Sequence, residues 1–106
     1  MSETRGLAEQ RVLGAMLLDS PKAQQAFEHL SPQSFTTKKN SIIFSTAAKL
    51  FADKSPIDIV TVAEKMAREG TLYECGGLEY ITFLIAQVPS ACEISGYIEE
   101  LNEVNQ

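Results

Sequence analysis

His29 beside Glu28, the carboxylate of Asp58, the thiols of Cys75 and Cys92, and the glycine pair Gly76-Gly77 are the residues of this chain whose types could do chemistry. A histidine next to a glutamate can be written as a general base, but a lone histidine near a helix end more simply complements the negative end of the helix dipole or faces water. Asp58 stands just before an apolar-periodic run, where an aspartate caps a helix. The cysteines form neither a C-x-x-C pair nor part of a His/Cys cluster, and His29 is the only histidine, so no zinc site is expected. Both read as reduced, small hydrophobes, with spacing alone leaving a disulfide open. Gly76-Gly77 is a turn signal too short to cradle a phosphate, and no G-x-x-x-x-G-K-[ST] loop is present. No catalytic residue, metal or cofactor is therefore expected, and the pattern favours a domain that works by contact.

The totals agree with that class. The chain has 106 residues, enough for one core, and its 44% hydrophobic and 22% charged content is that of a folded globular protein. A formal net charge of −5 argues against direct nucleic-acid binding, which relies on clustered Lys and Arg to displace phosphate counterions. Lys38-Lys39 is the only adjacent basic pair, and Glu99, Glu100 and Glu103 read as a water-facing stripe. No apolar run is long enough to span a membrane, and MSETRGLAEQ lacks a signal pattern, so a cytoplasmic protein is expected.

Helical signals run from end to end. Ala8 to Ser20 reads as helix despite Gly14 at its centre, where glycine costs roughly 0.5–1 kcal/mol relative to alanine. Ser20-Pro21 opens a second helix to about Leu30, and Ser31-Pro32 opens a short turn ending near Phe35. From Lys38 to about Asp53, the residues Ile43, Phe44, Ala47, Leu50 and Phe51 share one face, predicted to be core. The next helix starts either at Ile59, capped by Asp58, or one turn later through a Thr61/Glu64 capping box; Ile59, Val62, Ala63 and Met66 keep helical spacing, Lys65 and Arg68 suit its end, and Gly70 stops it. After the connection TLYECGG, a helix runs from Leu78 toward Pro89. Its stripe is Leu78, Ile81, Leu84, Ile85 and Val88, but Tyr80 and Phe83 lie off it, so this helix must be buried on two sides, in its own core or against a partner. Ser90 to Glu93 matches a capping box, and Ile94, Tyr97, Ile98 and Leu101 continue as the last helix. The predicted fold is all-α: a compact orthogonal bundle of about five main helices plus one short helix, in a single domain spanning 1–106.

Four blocks taken in order carry a family resemblance: EQRVLGAMLLD (Glu9 to Asp19), Phe35 followed at a distance by Ile43-Phe44, SPIDIVTVAEKM (Ser55 to Met66), and GGLEYITFL with PSA (Gly76 to Leu84, Pro89 to Ala91), then Tyr97. Together they resemble the N-terminal domain of the bacterial replicative DNA helicase, the DnaB family. The resemblance implies an all-helical head in a collar above ATP-driven motor domains, helping hold six subunits together and receive primase and, in some systems, a helicase loader. It also implies that the helical hairpin and motor, which follow the head in the family, are absent, making this chain part of a longer helicase or a stand-alone homologue. The chain departs from the family at Thr36, where an aromatic residue is common, and at Asn40-Ser41, where a His/Arg-rich stretch is common; these departures are expected to leave the fold untouched and to bear only on how one surface is used.

Gly14 matches a family position where glycine is common. Close approach of a second helix accounts for it physically, with Phe27, Phe44 or Phe51 as the preferred neighbour. The expected protein-contact residues are Leu78, Tyr80 and Phe83, with Ile57 and Asp58 from the preceding connection; the alternative for Leu78 is that it closes the core. The expected partners are a second copy of the chain, as dimer or part of a hexamer, together with primase or a loader. The alternatives are the helicase-binding domain of a primase, which shares this helical architecture, and a small helical enzyme or DNA-binding protein.

Overall fold

In the computed structural model, which describes residues 2–18, 20–89 and 94–104, each helix begins and ends on local chemistry that its sequence supplies. Six α-helices and one 3-10 turn are formed: α1 (Ser2–Leu18), α2 (Ser20–His29), the turn Pro32–Ser34, α3 (Lys38–Ala52), α4 (Ile59–Glu69), α5 (Gly77–Ala86) and α6 (Ile94–Val104). No strand occurs among the described residues. The fold is all-α as expected, and each helical segment read from the sequence appears, with the short turn between α2 and α3. Helix α1 begins at Ser2, ahead of the apolar pattern, since the preceding polar residues include good helix formers.

Thr37 caps α3, its hydroxyl oxygen accepting the Asn40 amide at 3.3 Å. Asp58 caps α4, and of the two predicted starts the earlier is used. Its Oδ1 accepts the Thr61 amide at 2.8 Å while Thr61 Oγ1 accepts the Asp58 amide at 2.9 Å, so threonine closes the box in place of a glutamate. Gly70, with φ 76°, ends α4 in the left-handed conformation. Helix α3 ends in the same manner without glycine: Lys54 has φ 60°, its amide donates to Phe51 O at 3.0 Å, and the Ser55 amide donates to Leu50 O at 2.9 Å. The capping box expected at Ser90 to Glu93 lies outside the described residues.

Helix α1 is the central element, packed against α2, α3, α5 and α6, while α3 also meets α4 and the 3-10 turn. It is correspondingly apolar on most sides: Ala8, Val12, Leu13, Ala15, Met16 and Leu17 are all buried. The α3 face contributes Ile43, Phe44, Ala47 and Leu50 to the same core. Phe51 departs from that expectation: it is 43% exposed, because it sits in the last turn of α3 with only one side of its ring covered. That side meets Phe27 at 5.0 Å, and Phe27 in turn meets Phe44 at 5.4 Å in an edge-on contact.

The glycine in α1 answers to α5 and not to a phenylalanine. A Cβ on Gly14 would overlap the Leu84 carbonyl oxygen and lie 2.9 Å from the Leu84 carbonyl carbon. Two backbones therefore touch here, and the expected neighbours Phe27, Phe44 and Phe51 lie elsewhere. Less than a turn before Gly14, Arg11 on α1 pairs with Glu100 on α6 at 3.3 Å, so one glutamate of the C-terminal stripe bridges helices while Glu99 and Glu103 face water. Cys75 is a buried free thiol whose pKa is raised by burial, with Glu74 adding in the same direction; Cys92 lies outside the described residues.

Candidate functional site

The connection before α5 folds back on itself through hydrogen bonds from Cys75 N to Leu72 O at 3.2 Å and from Gly77 N to Leu72 O at 2.9 Å. Gly76 and Gly77 both take positive φ, 97° and 69°, which side chains resist. Gly76 is required twice over, since a Cβ there would fall 2.7 Å from that of Tyr80. The glycine pair thus launches α5 while leaving room for Tyr80 to fold against the start of the helix.

Tyr80 is tied to the interior by a chain of hydrogen bonds. Its hydroxyl donates to Asn40 Oδ1 at 2.5 Å, and Asn40 Nδ2 donates to Glu9 Oε1 at 2.8 Å. The other oxygen of Glu9 accepts from Thr36 N at 2.9 Å and from Thr36 Oγ1 at 2.6 Å. Glu9 is 0% exposed, and three donors converge on it where water would otherwise solvate the carboxylate. Burial pushes the Tyr80 phenol up to about 12, the Glu9 charge adds to the shift, and the bond to Asn40 opposes it. Above the ring, Lys39 Nζ lies 4.0 Å from the centroid, close enough for a cation–π contact.

Tyr80 and Phe83 lie nearly parallel, centroids 6.1 Å apart. Phe83 is 47% exposed and Leu78 52% exposed, whereas Ile81 and Leu84 on the opposite side of α5 are fully buried. Leu78 therefore does not close the core. The exposed side of α5 carries Leu78 and Phe83 at its two edges with Glu79 and Thr82 between them, and the Tyr80 ring, held in place from beneath, flanks Phe83. This side carries no nucleophile with an adjacent base, so its capability is contact.

The other expected contact residues are placed differently. Ile57 is only 2% exposed and belongs to the core, which removes it from any open surface. The reason is its position: it immediately precedes the cap of α4 and is buried together with Val62, the pair of positions that form a hydrophobic staple. Asp58 is occupied as the α4 cap. His29 is exposed in the last turn of α2, beside a shallow depression shared with Ser95 and Asn102 of α6. Among the described residues no three His, Cys, Asp or Glu side chains are grouped to hold a metal, and no helix is long and apolar enough to cross a membrane.

Sequence reasoning passed over Glu9, Thr36 and Asn40 as a unit. The available signal was that Glu9 shares a helical face with Val12, Leu13 and Met16, an acid on an apolar stripe. Thr36 and Asn40, which stand out as departures from the family pattern, are the partners of that acid. Asn40 is buried, so this pair of departures bears on the interior and not only on a surface.

Comparison with known proteins places the chain. Residues 4–103 match the family model described as the DnaB-like helicase N-terminal domain. The chain is 35% identical over 86 residues to the replicative DNA helicase DnaB of Rhodothermus marinus, covering 81% of this chain and 9% of that protein. It is 34% identical over 96 residues to the corresponding helicase of Geobacillus stearothermophilus, covering 91% of this chain and 21% of that protein. It thus spans no more than about a fifth of these curated relatives. Among solved structures it is similar to the N-terminal domain of DnaB helicase from Mycobacterium tuberculosis, with TM-score 0.86 and 34% identity, covering 92% of this chain and 67% of that one. It is also similar to the N-terminal domain from Helicobacter pylori, described with its interactions with primase, with TM-score 0.76 and 25% identity, covering 97% and 79%.

Proposed function

Because the chain belongs to the DnaB-like helicase N-terminal domain family, we propose that it is a non-catalytic docking and self-association domain of DNA replication, acting in the cytoplasm through the α5 face of Leu78, Tyr80 and Phe83. The observation that carries this reading is that Leu78 and Phe83 are about half exposed on a helix whose opposite side is fully buried. Tyr80 is fixed at the edge of that face by Asn40, so less order has to be imposed on it when a partner arrives. Part of the expected contact set drops out, since Ile57 is core, and Asp58 contributes by fixing where α4 begins.

Two partners fit the family: a second copy of the chain, and a primase, the partner with which the Helicobacter pylori neighbour was studied. The relatives named above are helicases, which favours the helicase side over the alternative of a primase's helicase-binding domain. Sedimentation of the chain over a wide concentration range tests the proposal, together with titration of a primase helicase-binding fragment. The expected result is concentration-dependent association, or saturable primase binding, that Leu78→Glu reduces while the helical circular dichroism is unchanged. A folded Leu78→Glu variant that associates and binds primase as the parent does removes the α5 face from the function.

A further inference from the structure

Roughly 18 Å along α3 from Lys39, at the far end of the helix, the molecule carries another exposed aromatic residue, Phe51, in a different setting. A groove of about 560 Å³ runs between the start of α2 and the end of α3, lined by Pro21, Gln24, Phe51 and Lys54, with Ile57 beneath. Phe51 forms an apolar wall whose back is held by Phe27 at 5.0 Å.

Among the described residues, Lys54 is the only charged one lining the groove, and no described carboxylate lines it. It has no ion-pair partner among the described residues. It also occupies the left-handed position that ends α3, φ 60°, where the hydrogen-bond pattern suits glycine and where α4 in the same chain does use glycine. A cation therefore stands at a strained backbone position on the rim of an apolar groove, in a chain of net charge −5. Charge and apolarity together define a complementary ligand: an apolar side chain seated on Phe51 with a carboxylate beside it reaching Lys54.

We propose that this α2/α3 groove is a second docking site, separate from the α5 face, and that it takes an acidic amphipathic protein segment. Phe51 receives the apolar residue, and the Lys54 ammonium sets the sign of the partner's charge. The proposal stands whether or not the α5 face self-associates.

The test uses the full chain with two synthetic helical peptides, both presenting Leu and Phe on one face, one flanked by Glu and the other by Lys. Amide shifts are followed by two-dimensional NMR. The expected result is saturable shifts at Gln24, Phe51, Lys54 and Ser55 with the Glu peptide, about fivefold or more tighter than with the Lys peptide. Phe51→Ala is expected to weaken binding about tenfold. Lys54→Gly, which relieves the backbone and whose fold is checked by its own amide spectrum, is expected to erase the preference for Glu over Lys. The proposal is overturned by absence of binding, by equal binding of both peptides, by an unchanged preference in Lys54→Gly, or by the same shifts arising from protein concentration alone, which would make a second copy the occupant.

Discussion

Gly14 on α1 lies directly against the backbone carbonyl of Leu84 on α5, so close that a Cβ would overlap the oxygen. Because the obstacle is backbone, no side-chain rotation can make room, and the two helices would have to separate. Helix propensity alone predicts that Gly14→Ala stabilises by about 1 kcal/mol. Overpacking opposes it more strongly, and the variant is expected to lose about 1–3 kcal/mol net. Urea denaturation gives the sign; a stabilised variant would show that α5 moves away freely.

The buried carboxylate of Glu9 supplies a second expectation. Glu9→Ala leaves the amide and hydroxyl of Thr36 and the Asn40 side-chain nitrogen facing a dry cavity, and is expected to cost about 3 kcal/mol. Glu9→Gln retains an acceptor but turns a donor toward donors, and is expected to cost about half as much. Replacing Glu9 and Asn40 together by Leu is expected to destabilise by less than the sum of the two single changes, measured as a double-mutant cycle, because both ends of one bond leave at once.

That network also marks where sequence reading stopped. The six helices were legible because their starts and stops are local events: Asp58 before Ile59, Gly70 after Glu69, Pro21 and Pro32 after serines. The glycine at 14 was legible as a close approach but not as an approach to Leu84, since helical spacing orients a residue without naming its tertiary neighbour. Phe51 shows the same limit, because it belongs to the apolar face of α3 by period yet falls where the packing partner ends. Glu9, Thr36, Asn40 and Tyr80 are spread over 71 positions and meet only once α1, α3 and α5 are assembled. On the candidate face, the excess of apolar residues on α5 pointed to Leu78, Tyr80 and Phe83, while the inward turn of Ile57 depends on how the connection before α4 closes.

Tyr80 gives a pH dependence with a definite sign. Its pKa rises from 10.0 to about 12, so the folded state holds the phenolic proton more tightly than the unfolded chain does. Its contribution to stability is therefore complete below pH 10 and is lost as pH rises toward about 12. Ultraviolet titration is expected to show one phenol ionising near the top of that window. Stability of Tyr80→Phe is expected to fall less over the same window than that of the parent, and parallel declines would mean that another group controls it.

Lys54 is expected to reward substitution thermodynamically. A non-glycine residue in the left-handed region is strained, and Lys54→Gly keeps both hydrogen bonds that end α3 because they come from the backbone. The strain relieved exceeds the added freedom of the unfolded chain, so a gain of about 0.5–1 kcal/mol is expected in thermal or urea melts. A loss would mean that the lysine stem covers Phe51 and contributes packing.

The α5 helix separates contact from core on a single element, which allows the two roles to be tested against each other. Ile81 and Leu84 are fully buried, and truncating either to Ala is expected to cost about 2–5 kcal/mol through the cavity it leaves. Leu78 and Phe83 are already about half in water, so Leu78→Ser and Phe83→Ser are expected to cost about 1 kcal/mol or less each. If the exposed pair serves docking, those two variants lose association or primase binding while the melting transition barely moves. The buried pair shows the opposite order, with stability falling first and binding lost only as the fold is lost. Measuring melting temperature and association for all four variants therefore distinguishes a docking face from an incompletely covered core. Should Leu78→Ser cost as much as Leu84→Ala, the exposed side of α5 is structural and the proposed contact surface must lie elsewhere.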